Sequence, residues 1–355
     1  MRFVDEQPHP RFGVWAPVYG AWGSHQHPED PADAGYHRSR ELALRAEAAG
    51  FTSMLLAQHI VNPSQPDFDV LETWSAAAGI AEATERMEVI AAIKPLLVHP
   101  GVLAKMALGI DHISRGRFAI NLVSAWFRPE MSQLGIEMPE HDERYVQSAE
   151  WLSLVRELWS GESVTHRGAR YSTDGLALRP GPYEGRPPLV YLGGESEPGR
   201  ALAAAAADVF FINGRPLEPT SEIIADLRGR PRAGDPLRFG LAAFVIARES
   251  EQEAQAELES LRRYASLDDR SSVIAGRDPN TVMMKANVDP NRIGTNGGTT
   301  AGLIGSYEQV AARIEDFADA GVELFMLQFQ PLERELERFG AEVIPRVRAK
   351  VGAPA

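Results

Sequence analysis

The chain has 355 residues, no cysteine and a formal net charge of −13, from 36 Lys plus Arg against 49 Asp plus Glu. A chain without cysteine excludes a disulfide scaffold, a thiolate nucleophile, Cys-ligated zinc and an iron–sulfur cluster. The acidic balance argues against a general nucleic-acid binder, because phosphate neutralisation needs a basic face. The N-terminus, MRFVDEQPHPRFGVW, carries no apolar h-region. The longest apolar run, near 201–207 and continuing past Asp208 to 210–212, is shorter than the ~20 residues of a membrane span. The expectation is a cytoplasmic protein with no membrane and no nucleic-acid partner.

In chain order, near-continuous hydrophobic runs alternate with amphipathic segments. A strand is predicted at 12–18 (FGVWAPV), then a helix at 40–49 with Leu42, Ala46 and Ala49 on one face and Gly50 as its C′ glycine. A strand at 53–58 precedes a helix at 71–84. A strand at 88–93 precedes a helix opened by Pro100 at or near its first position, running to 113. A strand at 118–123 leads to EHDERY (140–145), where Asp142 reads as the N-cap of a long helix over 143–160. Residues 164–172 read as a small hairpin. Then come strand 189–193, helix 198–207, strand 209–213, helix 221–228, strand 241–246, helix 250–265, helix 306–320, strand 324–329 and helix 333–347, which Pro345 should kink or end.

Runs that are hydrophobic throughout suit strands covered on both faces, as in parallel sheets. Eight β-then-α units make an α/β fold of the (β/α)8 TIM-barrel kind the best architecture, ahead of a doubly wound open sheet. Barrels of this length are routinely one domain, so residues 1–355 are read as a single domain. Residues 267–302, rich in Gly, Asn, Pro and Thr, are read as a lid insertion within it. A mobile surface excursion is the plainer alternative.

Chemistry in such a barrel sits where strands end and βα loops begin. Those ends carry Trp15, Pro17 and Tyr19; Gln58 and His59; Ala91, Ala92 and Lys94; Asn121 to Trp126; Gly193 to Ser196; Asn213 and Gly214; Phe244; and Gln328. The set is apolar, aromatic and amide-rich, suited to a flat organic body rather than to hydrolysis by paired acids and bases. In YLGGESEPGR, Gly193 and Gly194 allow close backbone approach, and Glu195, Ser196, Gly199 and Arg200 stand at a helix N-terminus. That is either an anion site fit for a phosphate or a helix cap with ordinary turn glycines. As a phosphate site it requires Glu195 to point away or to act through its N–H. His25-Gln-His27 is either the start of a metal centre or a solvated loop. With Gly193, Asn213 and Gln328 at the other strand ends, no metal is expected. His59 is either a pocket group or a hydrogen-bonded packing residue.

DHISRGRFAINLVSAWFRPEMSQLG (111–135), HDERY (141–145) and PPLVYLGGES (187–196), in that order, resemble the bacterial-luciferase-like flavin monooxygenases. The resemblance spans essentially the whole chain. It is closest to the two-component group acting on alkanesulfonates, dimethyl sulfone and pyrimidines. AAFVIARES (242–250) and ERFGAEVIPRVR (337–348) favour the dimethyl sulfone branch. The resemblance implies reduced FMN at the C-terminal face, O2 as cosubstrate, a separate flavin reductase, and a homo-oligomer, either dimer or tetramer. It implies phosphate contacts from Gly194, Glu195, Ser196, Gly199 and Arg200, with Tyr145 and His141 reaching in. The ring is expected against Ala91, Ala92, Asn121 and Ser124, between Trp15 and Trp126. Asn121, Trp126 and His59 are the candidate catalytic residues. The implied reaction oxygenates a small molecule through a flavin (hydro)peroxide, in an apolar pocket closed against water.

Alkanesulfonate enzymes of the group place an Arg and a His on strand 7, where this chain has Ala242 and Phe244. That departure favours a neutral or apolar compound such as a sulfone or a heterocycle, while Lys94, Arg128, Arg215 and Arg292 leave a small anion open. The alternatives are oxygenation of a nitrogen heterocycle or biosynthetic intermediate, an F420-dependent hydride transfer, and a non-catalytic flavin-binding barrel.

Overall fold

The computed structural model describes residues 3–64, 67–269, 271–276, 278 and 292–351. Eight parallel strands close into a barrel: β1 (Arg11–Trp15), β2 (Ser53–Leu56), β3 (Glu88–Ile93), β4 (Phe118–Leu122), β5 (Leu189–Gly193), β6 (Val209–Ile212), β7 (Arg238–Phe244) and β10 (Leu324–Gln328). Round the barrel the order is β1-β10-β7-β6-β5-β4-β3-β2. Helices α1 (Tyr36–Ala48), α2 (Thr73–Ala83), α3 (Pro100–Ser114), α5 (His141–Leu158), α6 (Glu197–Ala206) and α7 (Leu217–Gly229) cover the outside. They are joined by α8 (Glu251–Ala265) and by Tyr307–Asp319, Leu332–Glu342 and Ile344–Val351. Apart from Gly193 and Arg238 at strand ends, every barrel-strand residue is buried, the counterpart of the unbroken hydrophobic runs. Among the described residues no helix is long and apolar enough to cross a membrane.

The N-terminal end of the barrel is sealed by a polar plug. Arg11 Nη1 donates to Glu88 Oε2 at 2.8 Å and to Ser53 Oγ at 3.3 Å, and the Tyr191 hydroxyl donates to Glu88 Oε1 at 2.8 Å. Four strands thus meet in one buried network that leaves both charges compensated. Above it, Met326 and Phe211 fill the volume that glycines leave. A Cβ on Gly13 would stand 2.6 Å from Met326 Cε, and one on Gly240 2.7 Å from the Phe211 ring. Phe211 in turn stacks on Tyr191, with centroids 5.0 Å apart. The other end of the barrel stays open.

Several boundaries differ from the sequence reading. β1 begins at Arg11, a charge that reads as a boundary until Glu88 is seen beside it. The predicted strand 241–246 is two elements: β7 ends at Phe244, and β8 (Ile246–Arg248) leaves the barrel to pair with β9 (Ile304–Ser306). Asp142 is not an N-cap. α5 starts at His141, with Glu140 at the cap position and no side-chain cap bond, so Asp142 lies in the first turn. The last predicted helix divides at Val343, and Pro345 falls in the first turn of the second half, where a missing N–H is harmless. Residues 164–172 lie in an antiparallel excursion bridged by Val164–Leu176 and Arg167–Ser172. A short helix, α4 (Arg128–Gln133), stands where no element was read.

Part of the predicted lid, 270, 277 and 279–291, lies outside the described residues. The described part returns over the barrel mouth. Ile293 packs with Phe244, Ile246 and Leu258. The Gln328 amide accepts from Thr295 N at 3.0 Å and donates to its Oγ1 at 3.0 Å, and Gly214 N donates to Asn296 O at 2.8 Å.

Candidate active site

The pleat of the strands decides which predicted residues meet. Alternate residues of a barrel strand face inward. The inward set at the C-terminal end includes Trp15, Leu55, Ala92, Asn121, Gly193, Phe211 and Ala242, which line one pocket. Tyr19, His59, Lys94, Trp126 and the 194–196 turn complete its wall. Ala92 and Asn121 are register partners on β3 and β4. Ala91, one residue from Ala92, is buried on the opposite face and is not part of the lining. Phe244 shares the face of Ala242 but is not part of the lining; it packs with Ile293 beyond the strand end.

At one end of the pocket α6 presents its N-terminus. Ser196 is its N-cap residue, yet its side chain makes no cap bond, and its buried Oγ faces the Tyr145 hydroxyl. The Tyr145 hydroxyl closes over the same turn. A Cβ on Gly194 would lie 2.7 Å from it, and one on Gly199 3.1 Å. Burial raises the Tyr145 phenol above its ordinary value, with the neighbouring Ser196 hydroxyl pulling the other way. Gly199 does not line the pocket; it lets α6 seat against the Gly194 carbonyl. Two predicted residues turn aside. Arg200 donates to Glu195 O at 3.0 Å and to Asp226 Oδ2 at 3.1 Å, outside the pocket. The Glu195 carboxylate accepts from Asn213 N at 2.9 Å and pairs with Arg215, so it faces away from the cradle. His141 lines the rim, its Nδ1 2.6 Å from Asp142 Oδ1.

Toward the centre, Asn121 Oδ1 is buried with no hydrogen-bond partner. Ser124 contributes to the wall, its Oγ 3.0 Å from Ser148 Oγ. Trp126 stands edge-on to His59, with centroids 5.5 Å apart. Ala125 between them takes a positive φ of 49°, which swings Trp126 into the wall. Arg144 lines the pocket while donating to Ser124 O at 3.0 Å and pairing with Asp278.

Sequence reasoning missed one cluster. On the β2–β3 side, Lys94 Nζ pairs with Glu130 Oε2, and His59 Nδ1 lies 3.3 Å from Lys94 Nζ and 3.4 Å from Glu130 Oε1. All three side chains are at most 5 % exposed. Glu130 also accepts from Ile60 N at 2.6 Å. Burial first, then the Lys94 charge, holds the His59 imidazole down to about 4. Burial opposes ionisation of Glu130, but His59 and Lys94 bring it down to about 2. Burial lowers the Lys94 ammonium from its ordinary value, with Glu130 pulling the other way, so Lys94 and Glu130 form one coupled pair beside a neutral imidazole. The clue in sequence was the acidic residue closing FRPE, in the first turn of α4.

Among the described residues, no three His, Asp or Glu side chains gather as a metal site. His25 packs on Phe68 and His27 on Tyr264. An uncapped helix N-terminus where a buried serine hydroxyl and a tyrosine hydroxyl converge suits a phosphate. An amide oxygen lacking a partner, set among aromatic and small residues, suits the N–H edge of a flat heterocycle. The residues present therefore fit FMN: Gly194, Ser196 and Tyr145 would hold its phosphate, and Ala92, Asn121 and Ser124 would lie along its ring.

The luciferase-like monooxygenase family model matches residues 11–324. The chain is 34 % identical over 349 residues to an FMNH2-dependent dimethylsulfone monooxygenase of Pseudomonas fluorescens (strain Pf0-1), covering 95 % of this chain and 94 % of that one. It is 31 % identical over 320 residues to a protein of the same name from Pseudomonas putida, covering 87 % of each. The fold superposes on the crystal structure of DmoA from Hyphomicrobium sulfonivorans with a TM-score of 0.80 at 18 % identity, covering 98 % of this chain and 90 % of that one.

Proposed function

The chain belongs to the luciferase-like monooxygenases, and on that premise we propose that it is an FMNH2-dependent monooxygenase of a small organosulfur compound such as dimethyl sulfone. The observation that carries the reading is the N-terminus of α6, left without a side-chain cap, where the buried Ser196 hydroxyl faces the Tyr145 hydroxyl at the pocket wall. Its support in kinship is the similarity to two dimethylsulfone monooxygenases over most of the chain.

Reduced FMN, when bound, supplies the electrons and the activation of O2. The chain's own residues bind, orient and keep the site dry. Ser196 Oγ, the first N–H groups of α6 and the Tyr145 hydroxyl hold the phosphate. Asn121 Oδ1 accepts from the ring edge. Phe211, stacked on Tyr191, is the floor, and Trp15 and Trp126 are walls that exclude water. Ala242, without a charge, leaves the β7 side open to a neutral substrate.

A separate reductase supplies the reduced flavin. Because free FMNH2 is consumed by O2, the two proteins work in one NAD(P)H-containing compartment, the cytoplasm. An exposed apolar stripe, Val102, Met106 and Ile113 on α3 with Val146 on α5, supports a homo-oligomer.

The test is anaerobic titration with photoreduced FMN, followed by O2 and dimethyl sulfone. Micromolar binding of FMNH2, with O2 uptake and loss of the sulfone, is expected. Failure to bind FMNH2 ends the flavin reading. Binding without O2 uptake points to hydride transfer instead.

A further inference from the structure

The Lys94–Glu130 pair is expensive to bury. Lys94 lines the pocket, whereas Glu130 stands behind it, fully buried, out of the lining. Lys94 Nζ donates to Glu130 Oε2 and lies 3.3 Å from His59 Nδ1, which leaves it at least one further donor. The cluster sits on the β2–β3 side of the mouth, two and three strands round the barrel from the phosphate cradle on β5. Among the described residues the other Arg or Lys lining the pocket, Arg144, is also tied to a carboxylate, Asp278. On the cluster's side, then, a strong donor is presented with its charge cancelled.

We propose that the buried Lys94–Glu130 pair is a specificity-determining element that makes the pocket select polar but uncharged substrates. Lys94 donates a hydrogen bond to a substrate oxygen, and Glu130 removes the net positive charge that would draw in an anion. A sulfone offers two hydrogen-bond acceptors and no charge, so it meets the donor without needing a counter-ion. A sulfonate of the same size must leave water and face a pair that is already neutral, which is unfavourable. The inference rests on the sulfone reading and deepens it by naming the residues that separate sulfone from sulfonate.

The test is binding of dimethyl sulfone and of methanesulfonate to the FMN-loaded protein by calorimetry, beside sulfone turnover. Wild type should bind the sulfone and bind methanesulfonate at least tenfold more weakly. In Glu130→Gln the amide keeps the Ile60 contact but uncovers the lysine. Its affinity for methanesulfonate should rise at least tenfold, with FMN affinity within threefold of wild type. Unchanged anion affinity in a folded Glu130→Gln overturns the proposal, as does a change confined to FMN. The double variant Lys94→Met/Glu130→Gln removes both charges and serves if the single variant does not fold. It should lose about tenfold in sulfone affinity and gain nothing for methanesulfonate, whereas unchanged sulfone affinity overturns the proposal. Failure of turnover with this binding pattern intact sinks the functional reading alone. Turnover without the pattern sinks the charge argument alone.

Discussion

Replacing Gly199 by alanine tests the phosphate cradle through backbone rather than through a removable side chain. A Cβ there would lie 2.8 Å from the carbonyl carbon of Gly194, nearer still to its oxygen, and 3.1 Å from the Tyr145 hydroxyl, where ordinary contact begins at 3.4 Å. Tyr145 can rotate, but the Gly194 carbonyl belongs to the turn itself. α6 must therefore retreat from β5, carrying Ser196 and the first N–H groups away from the phosphate position. Overpacking of this kind costs about 1–3 kcal/mol. If most of it falls on the turn, the affinity for FMNH2 drops by about ten- to a hundredfold, with a fall of a few degrees in Tm. Gly229→Ala is the control, because a Cβ there meets nothing within 4 Å. Anaerobic fluorescence titration and thermal melts of both variants are the assay. Wild-type FMNH2 affinity and Tm in Gly199→Ala would refute the reasoning.

The remaining expectations concern single side chains and pH. Ser196→Ala should weaken FMNH2 binding by about tenfold, the loss of one hydrogen bond to a charged group, and unchanged affinity would move the phosphate elsewhere. Arg200→Ala should change it less than about threefold, since this half-exposed guanidinium faces Asp226 and such pairs contribute little; a larger loss would mean that Arg200 swings into the pocket. Asn121→Ala should lower the oxygenation rate more than FMNH2 affinity, and equal losses would make it a binding residue only. The folded value of His59 lies below 6.5, at about 4, so the unfolded chain takes up its proton first and stability is lost as pH falls from about 6.5 to about 4. Glu130 extends the loss below its ordinary value of 4.5, toward about 2. The His59 share is up to about 3 kcal/mol, readable by urea unfolding at pH 7 and pH 4.5. A His59→Asn variant with the wild-type pH slope would contradict it.

All eight barrel strands were legible because burial on both faces leaves unbroken hydrophobic runs, and their ends named most of the pocket. Which of two adjacent residues faces inward was not legible. A run such as EVIAAI has no alternation to read, so Ala91 and Ala92 look alike until the register with Asn121 is known. Buried charge was the second blind spot. Arg11 and Glu130 were not singled out, and Lys94 was read only as a strand-end charge; the pairing across 77 and 36 positions of sequence that buries them was not visible. Arg200 failed in the opposite sense. Its place at a helix N-terminus suggested the anion, but Asp226, 26 residues away, claims its guanidinium.

The plug of Arg11, Ser53, Glu88 and Tyr191 separates two duties. None of these side chains lines the mouth, yet together they tie β1, β2, β3 and β5 in register at the closed end. Leu55, Ala57 and Ala242, which do line it, can be enlarged or trimmed for a different guest while the staves below stay aligned. The scaffold is thereby built for retooling: its foundation and its working surface share strands but no side chains.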